Sequence, residues 1–352
     1  SLGTAVRGSE FVFDPFDAYL AGLVTSPNVA VFGAIGSGKS TMVKMMLRRG
    51  IQRGRRAIVV DPKGEYGLLC DLLGGTVLSL GNGVWGNPFE GHRRRDVALA
   101  VALLGAARKE VLDDSERHLI DTAWAEFTGR RVTRPFHAIL DFLEGQREPS
   151  ARGLSHTVRR FVYGDLSGLI DGEGEPWNVT TPLVVMDLSE WWSSESLGVV
   201  ALLTWALAQK SLVNRKEQGY LVIDEAWSLV SNPYASEWLR GSFKMARAAG
   251  VAHLIVMHRM GDIDSAGEHG STLRSSARGL LHDTGSLFAF RLDPTDATSL
   301  TAEFELSQRE CRALQRLTRG RVLARYGAHS SLVVLKLDAD EHAFTDTDEA
   351  MR

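Results

Sequence analysis

The chain has 352 residues, of which 44% are hydrophobic and 24% charged, with a formal net charge of −3. That length holds one large α/β core plus an inserted subdomain, and the charge excludes a global basic footprint for nucleic acid, so any such contact must be local. Two distant cysteines, Cys70 and Cys311, offer neither zinc-ligand spacing nor a disulfide scaffold, a pattern that fits a reducing compartment.

In chain order, Ser1 to Thr25 carries Phe11, Phe13 and Phe16 and is expected to pack on the edge of the core. The chain opens on Ser1 without Met, which leaves room for an upstream membrane anchor or further domain. Residues "NVAVF", Asn28–Phe32, read as a buried strand. The loop "GAIGSGKST" follows, Gly33, Ala34, Ile35, Gly36, Ser37, Gly38, Lys39, Ser40 and Thr41, matching the G-x-x-x-x-G-K-[ST] spacing. Then "TMVKMMLRRG" reads as a helix stopped by Gly50. Glycines let backbone N–H groups face phosphate with no Cβ in the way, and the helix N-terminus adds positive partial charge. In this context Lys39 is expected to reach the β- and γ-phosphates and the Ser40 hydroxyl to ligate Mg²⁺.

"AIVVDPKGEYGLLC", Ala57–Cys70, predicts a second strand with Asp61 at its end, pointing into the same crevice. Either Asp61 or Glu65 could orient water or a neighbouring subunit; alternatively Asp61-Pro62 forms a turn and Lys63–Glu65 face solvent. From His92 to Asp171 the spacing is helical with few strand signals. The longest apolar runs, Val97–Ala107 and Val199–Ala208, fall short of the roughly 20 residues a bilayer requires and read as buried helices. Arginine clusters at Arg53–Arg56, Arg93–Arg95 and Arg130–Arg134 read as solvated faces. Trp191-Trp192 reads as a core edge rather than a partner patch.

"GYLVIDEAW" supplies an apolar strand, Tyr220–Ile223, ending in Asp224 and Glu225. Asp224 is expected to support Mg²⁺ and Glu225 to polarise the attacking water, which points to a hydrolase. "FKMARAAGVAHLIVMHRMGDID" reads as a helix, a Gly250 stop and a strand ending at His258. A side chain there can sense the γ-phosphate or be an ordinary end-of-strand histidine. Arg247, on the helix before that strand, is either an arginine finger acting in trans or a surface side chain; Arg291 is a weaker finger candidate. Residues "GSLFAFRLD", "RGRVLARYG" and "SLVVLKL" read as closing strands, and the acidic tail "DADEHAFTDTDEAMR" as extended or frayed. No N-K-x-D sequence supports guanine and no L-S-G-G-Q a transporter cassette, so ATP is the expected nucleotide.

The order of "GAIGSGKST", "VVDPKGEY", "GNPF", "LVIDEAW", "ARAAGVAHLIVMHR" and "LSQRECRALQRLTRGRVLARYG" resembles the HerA/FtsK superfamily of P-loop ATPases, and within it the ATPases of type IV secretion and conjugative DNA transfer. The resemblance spans about Pro27 to Leu337 and departs from the family at His258, where glutamine is usual. It implies an α/β, RecA-like core with a mainly parallel sheet, in two parts (1–90 and 181–352) around an all-α insertion (91–180). It further implies ATP and Mg²⁺ held between the subunits of a homo-hexamer or other homo-oligomer. The expected setting is cytoplasmic, at the inner membrane face through a membrane-embedded channel or a further segment, with DNA or protein as cargo. A double-stranded DNA translocase of the FtsK or HerA kind and a nucleotide-locked assembly scaffold are the alternative readings.

Overall fold

The computed structural model describes residues 1–6, 8–80, 84–127, 133–171, 175–176, 180–215, 217–226, 233–261 and 278–345. Of the residues read above, Arg130, Arg131, Trp227, Asp264 and positions 346–352 lie outside these.

The centre of the molecule is an 11-stranded sheet. Seven of its strands are parallel: β3 (Val29–Phe32), β4 (Arg56–Asp61), β5 (Thr76–Leu78), β8 (Leu183–Asp187), β9 (Gly219–Ile223), β10 (Val251–Met257) and β11 (Ser286–Ala289), in the spatial order β11-β3-β10-β9-β4-β8-β5. Strands β3, β9 and β10 are buried at every position, as expected where helices cover both faces of a parallel sheet. Beyond β11 the sheet continues antiparallel through β12 (Arg321–Tyr326), β13 (His329–Leu335), β1 (Gly3–Ala5) and β2 (Glu10–Phe11). The expected α/β architecture with a mainly parallel sheet is what the chain adopts.

Alternate residues of each strand feed two cores. Val29, Val31, Val59 and Val222 face α2 (Lys39–Gln52) and α3 (Gly67–Leu72), in a core that also buries Phe11 and Phe16. Phe13 packs edge-on to Phe288 at 4.9 Å between centroids. The N-terminal aromatics therefore pack on the edge of the core, and the segment also adds two strands that the sequence did not announce.

Ala30, Phe32, Ile58, Val60, Leu221 and Ile223 face the other core. It is shared with α4 (Arg93–Arg108), α5 (Asp114–Phe127), α6 (Pro135–Glu144), α7 (Pro149–Val162) and α8 (Leu197–Arg215). Leu99 to Ala107 of α4 are buried without a break, because that helix lies between its helical neighbours and both α8 and α9 (Pro233–Ala249). Its Ala- and Gly-rich run gives the thin profile this position needs. Between α7 and β8, β7 (Glu175–Pro176) pairs in parallel with β6 (Val84–Trp85) as a separate two-stranded sheet.

The acidic tail corrects the expectation of an extended or frayed end, as far as residue 345. Glu341 is fully buried, and its carboxylate accepts from Arg48 Nη1 at 3.2 Å, Arg49 Nε at 2.9 Å and Arg49 Nη2 at 2.5 Å. The chain then closes into a short helical turn, His342–Thr345, and the buried Lys44 donates to Phe344 O at 3.2 Å. Two adjacent arginines on α2 gave the acidic residues a partner, so composition alone misread the segment.

Candidate functional site

Strands β3, β10, β9 and β4 run parallel, so their C-terminal ends open on one edge of the sheet, where ligand crevices form in such folds. The Gly33–Ser40 loop leaves β3 at that edge. Gly38, with φ 110°, sits at the N-cap of α2 in the left-handed region, and no side chain caps the helix. The first turn of α2 therefore turns its N–H groups toward the loop. Gly33 is needed for space: a Cβ there would lie 2.6 Å from Phe290 Cβ and 2.8 Å from Ser37 Oγ. The loop is also stitched to the C-terminal strands, through Ala34 N donating to Arg291 O (2.8 Å) and Gly320 N donating to Ser37 O (3.1 Å). Ile35 is 78% exposed at the loop tip.

Lys39 is buried at the heart of the site. Its ammonium donates to Gly33 O at 2.7 Å and Ala34 O at 3.1 Å, and lies 2.8 Å from His258 Nδ1. Burial lowers its pKa to about 8, against the raising pull of Asp224 and Glu225. Because an ammonium only donates, His258 accepts through Nδ1 and carries its proton on Nε2, which lies 2.5 Å from Glu225 Oε1. The same Glu225 oxygen receives Lys63 Nζ at 2.5 Å. Lys39, His258, Glu225 and Lys63 thus form one continuous polar chain across the ends of β3, β10, β9 and β4. Burial pushes the Glu225 carboxyl up, but the bonds from His258 and Lys63 outweigh it and hold it at about 2. Glu225 occupies the left-handed region with φ 54°, rare for a residue with a side chain.

Asp224 lies one residue before. Its carboxylate accepts from Tyr66 Oη at 2.9 Å and from the Glu225 N–H at 3.0 Å. Burial and the neighbouring Glu225 charge raise its pKa. Ser40 stands at the start of α2, half-buried. Its hydroxyl and the Asp224 carboxylate are oxygen donors, the kind that suits Mg²⁺. No group of three or more potential His, Cys, Asp or Glu metal ligands exists among the described residues.

The remaining expected residues fall in different places. Asp61 is buried at the end of β4, but its carboxylate is used locally: it accepts from the N–H groups of Lys63 (3.3 Å), Gly64 (3.0 Å) and Tyr66 (2.9 Å). The turn reading therefore describes its contacts, and burial raises its pKa to about 6. Thr41 is half-buried on α2. Arg247 is exposed in the last turn of α9, just before β10 begins. The seven residues of β10 separate it from the crevice edge by roughly 20 Å. Arg291 is exposed beside the loop, on the crevice edge. Trp191 is half-buried against the core, whereas Trp192 is 38% exposed with Lys63 Nζ 5.4 Å from its ring centroid.

Sequence reasoning missed Lys63 and Tyr66 as members of the site. Both lie in "DPKGEY", and the signal that would have found them is strand order. Val60 of β4 is in register with Ile223 of β9, which sets the residues beyond the two strand ends side by side.

Residues 10–86 match the family described as helicase HerA, central domain (DUF87). Protein TraC of Escherichia coli (strain K12) is 24% identical over 267 residues, covering 68% of this chain. The chain is thus similar to the HerA central domain over residues 10–86 and to TraC over most of its own length. It spans 30% of the length of TraC. VirB4 of Thermoanaerobacter pseudethanolicus superposes with a TM-score of 0.83 at 21% identity, covering 97% of each chain. The bacterial conjugative coupling protein TrwB, solved with ADP and Mg²⁺, gives a TM-score of 0.64 at 16% identity, covering 96% of this chain and 89% of that one. At these identities the structural likenesses establish the fold. No described helix of the chain is long and apolar enough to cross a membrane.

Proposed function

We propose that this chain is the ATP-hydrolysing motor of a type IV secretion or conjugative DNA-transfer system. The observation that carries the reading is the continuous chain from Lys39 through His258 to Glu225 at the open edge of the sheet. A phosphate-binding lysine and a carboxylate suited to polarising water are joined there by one imidazole. The loop from Gly33 to Ser40 cradles the phosphates of ATP with backbone N–H groups, and Lys39 exchanges its carbonyl partners for phosphate oxygen. Ser40 and Asp224 hold Mg²⁺, which when bound neutralises charge on the phosphates. Glu225, ionised through the physiological pH range, orients and polarises the attacking water.

His258 stands where the family resemblance implies glutamine. It joins the two ends of the machinery as a glutamine side chain would, accepting through one atom and donating through another. Asp61 acts on the site through the turn it holds. Arg247 is exposed and far from its own crevice, so its contribution requires a neighbouring subunit. The motor is then a homo-oligomer, a hexamer in this reading, with each site completed in trans. We take 1–90 and 181–352 as the two parts of the RecA-like core and 91–180 as its helical insertion. The assembly works on the cytoplasmic side of a membrane-embedded channel and moves DNA or protein through it.

The test is Glu225→Gln, which keeps the shape and removes the charge. Binding of a fluorescent ATP analogue should persist, while steady-state hydrolysis falls to background. In the parent chain the rate per subunit should climb with protein concentration as neighbours complete the site. A Glu225→Gln protein that hydrolyses ATP like the parent would sink the assignment, and a rate per subunit independent of concentration would sink the composite site.

A further inference from the structure

Glu225 projects from the end of β9, the strand between β10 and β4. Its Oε1 is held from both flanks, by His258 following β10 and by Lys63 following β4, each at 2.5 Å. We propose that Lys63 is a positioning residue for hydrolysis, fixing the Glu225 carboxylate from the side opposite His258. This rests on the assignment of Glu225 to hydrolysis.

Three further features fit the role. Glu225 lies in a costly left-handed conformation, which persists only where surrounding contacts over-determine it. Two donors converging on one oxygen, carried by the strands on either side of β9, fix its direction. The turn that carries Lys63 is itself held, because the Asp61 carboxylate gathers the N–H groups of Lys63, Gly64 and Tyr66. Gly64, with φ 72°, permits its tight course. The Lys63 ammonium also lies 5.4 Å from the centroid of the Trp192 ring, a favourable cation–π placement that narrows the positions open to it. The Lys63 side chain is 32% exposed against 5% for Glu225, so the lysine can be exchanged without opening a core.

The test compares Lys63→Met, Lys63→Arg and Glu225→Gln with the parent chain in steady-state ATP hydrolysis, with thermal melting measured alongside. Lys63→Met should lower kcat about tenfold or more while KM for ATP stays within about twofold, the signature of losing transition-state geometry rather than substrate binding. Lys63→Arg should restore part of kcat, since it keeps a donor at that place. A role in fold stability alone would lower the melting temperature and leave kcat of the folded fraction unchanged. If Glu225→Gln is inactive but Lys63→Met keeps the parent kcat, or raises KM in proportion to the lost rate, the positioning role is wrong and the hydrolytic reading survives. If Glu225→Gln hydrolyses like the parent, both fall.

Discussion

Replacing Lys39 by methionine should give a protein whose stability relative to the parent falls as pH rises. Lys39 is 5% exposed, and burial lowers its pKa to about 8 from the 10.5 of an exposed lysine. At roughly 1.4 kcal/mol per pH unit, the difference corresponds to about 3 kcal/mol. The sign follows from which state loses its proton first. Below pH 8 the folded and unfolded chains are both protonated, and the folded one carries the whole penalty of a buried charge. As pH rises from 8 to 10.5 the folded state deprotonates first and the penalty fades. The Lys39→Met variant has no charge to bury at this position, so its stability relative to the parent is highest near neutral pH and should fall by about 3 kcal/mol across that interval. Loss of the bonds to Gly33 O, Ala34 O and His258 Nδ1 subtracts about 1 kcal/mol each, which lowers the whole difference curve. Urea unfolding of both proteins at several pH values between 7 and 10.5 measures the difference, and titrations common to both cancel. Parallel stability curves across that range would refute the reasoning. The same substitution should abolish ATP binding.

Two packing predictions accompany it. Glu341→Gln removes a buried carboxylate shared by Arg48 and Arg49 and should destabilise the chain by about 3 kcal/mol, read by urea unfolding, with residues after 336 becoming open to limited proteolysis. An unchanged denaturation midpoint would mean that the tail contributes nothing to the fold. Gly50→Ala would set a Cβ 2.4 Å from the Tyr220 ring where α2 crosses β9, and should cost about 1–3 kcal/mol by overpacking. A thermal melt indistinguishable from the parent would show that the helix shifts freely there.

The parts of the site written as short contiguous motifs were legible in the sequence. The loop at Gly33–Thr41 needs glycine, lysine and serine at fixed spacing, and Asp224-Glu225 needs only an apolar strand before it. What stayed hidden depends on pairing between distant segments. Lys63 reads as a solvated turn residue until β4 is placed beside β9. Strands β1 and β2, three and two residues long, are too short to show a period and exist only because β13 offers an edge. Tail residues 338–345 have the composition of a disordered end, and the guanidinium groups of Arg48 and Arg49, the Lys44 bond to Phe344 O and the burial of Phe344 hold them in place. Asp61 shows the opposite case: a carboxylate at the crevice end of its strand that accepts from the N–H groups of its own turn.

The topology also sets the order in which the crevice can come into being. Val29 of the loop-bearing strand pairs with Leu254 on one side and Ser286 on the other, so neither neighbour of β3 exists until most of the chain has been synthesised. A nascent chain carries its phosphate loop early, on a buried apolar strand with both edges unpaired. Such an edge invites wrong partners. Residues 10–86 contain the most recognisable motif but none of the strands that flank it, so a truncated product ending before β10 would present the lysine and glycines without the frame that gives them their positions. The loop therefore gains its frame late in folding, only once residues 251–289 are available to pair with β3.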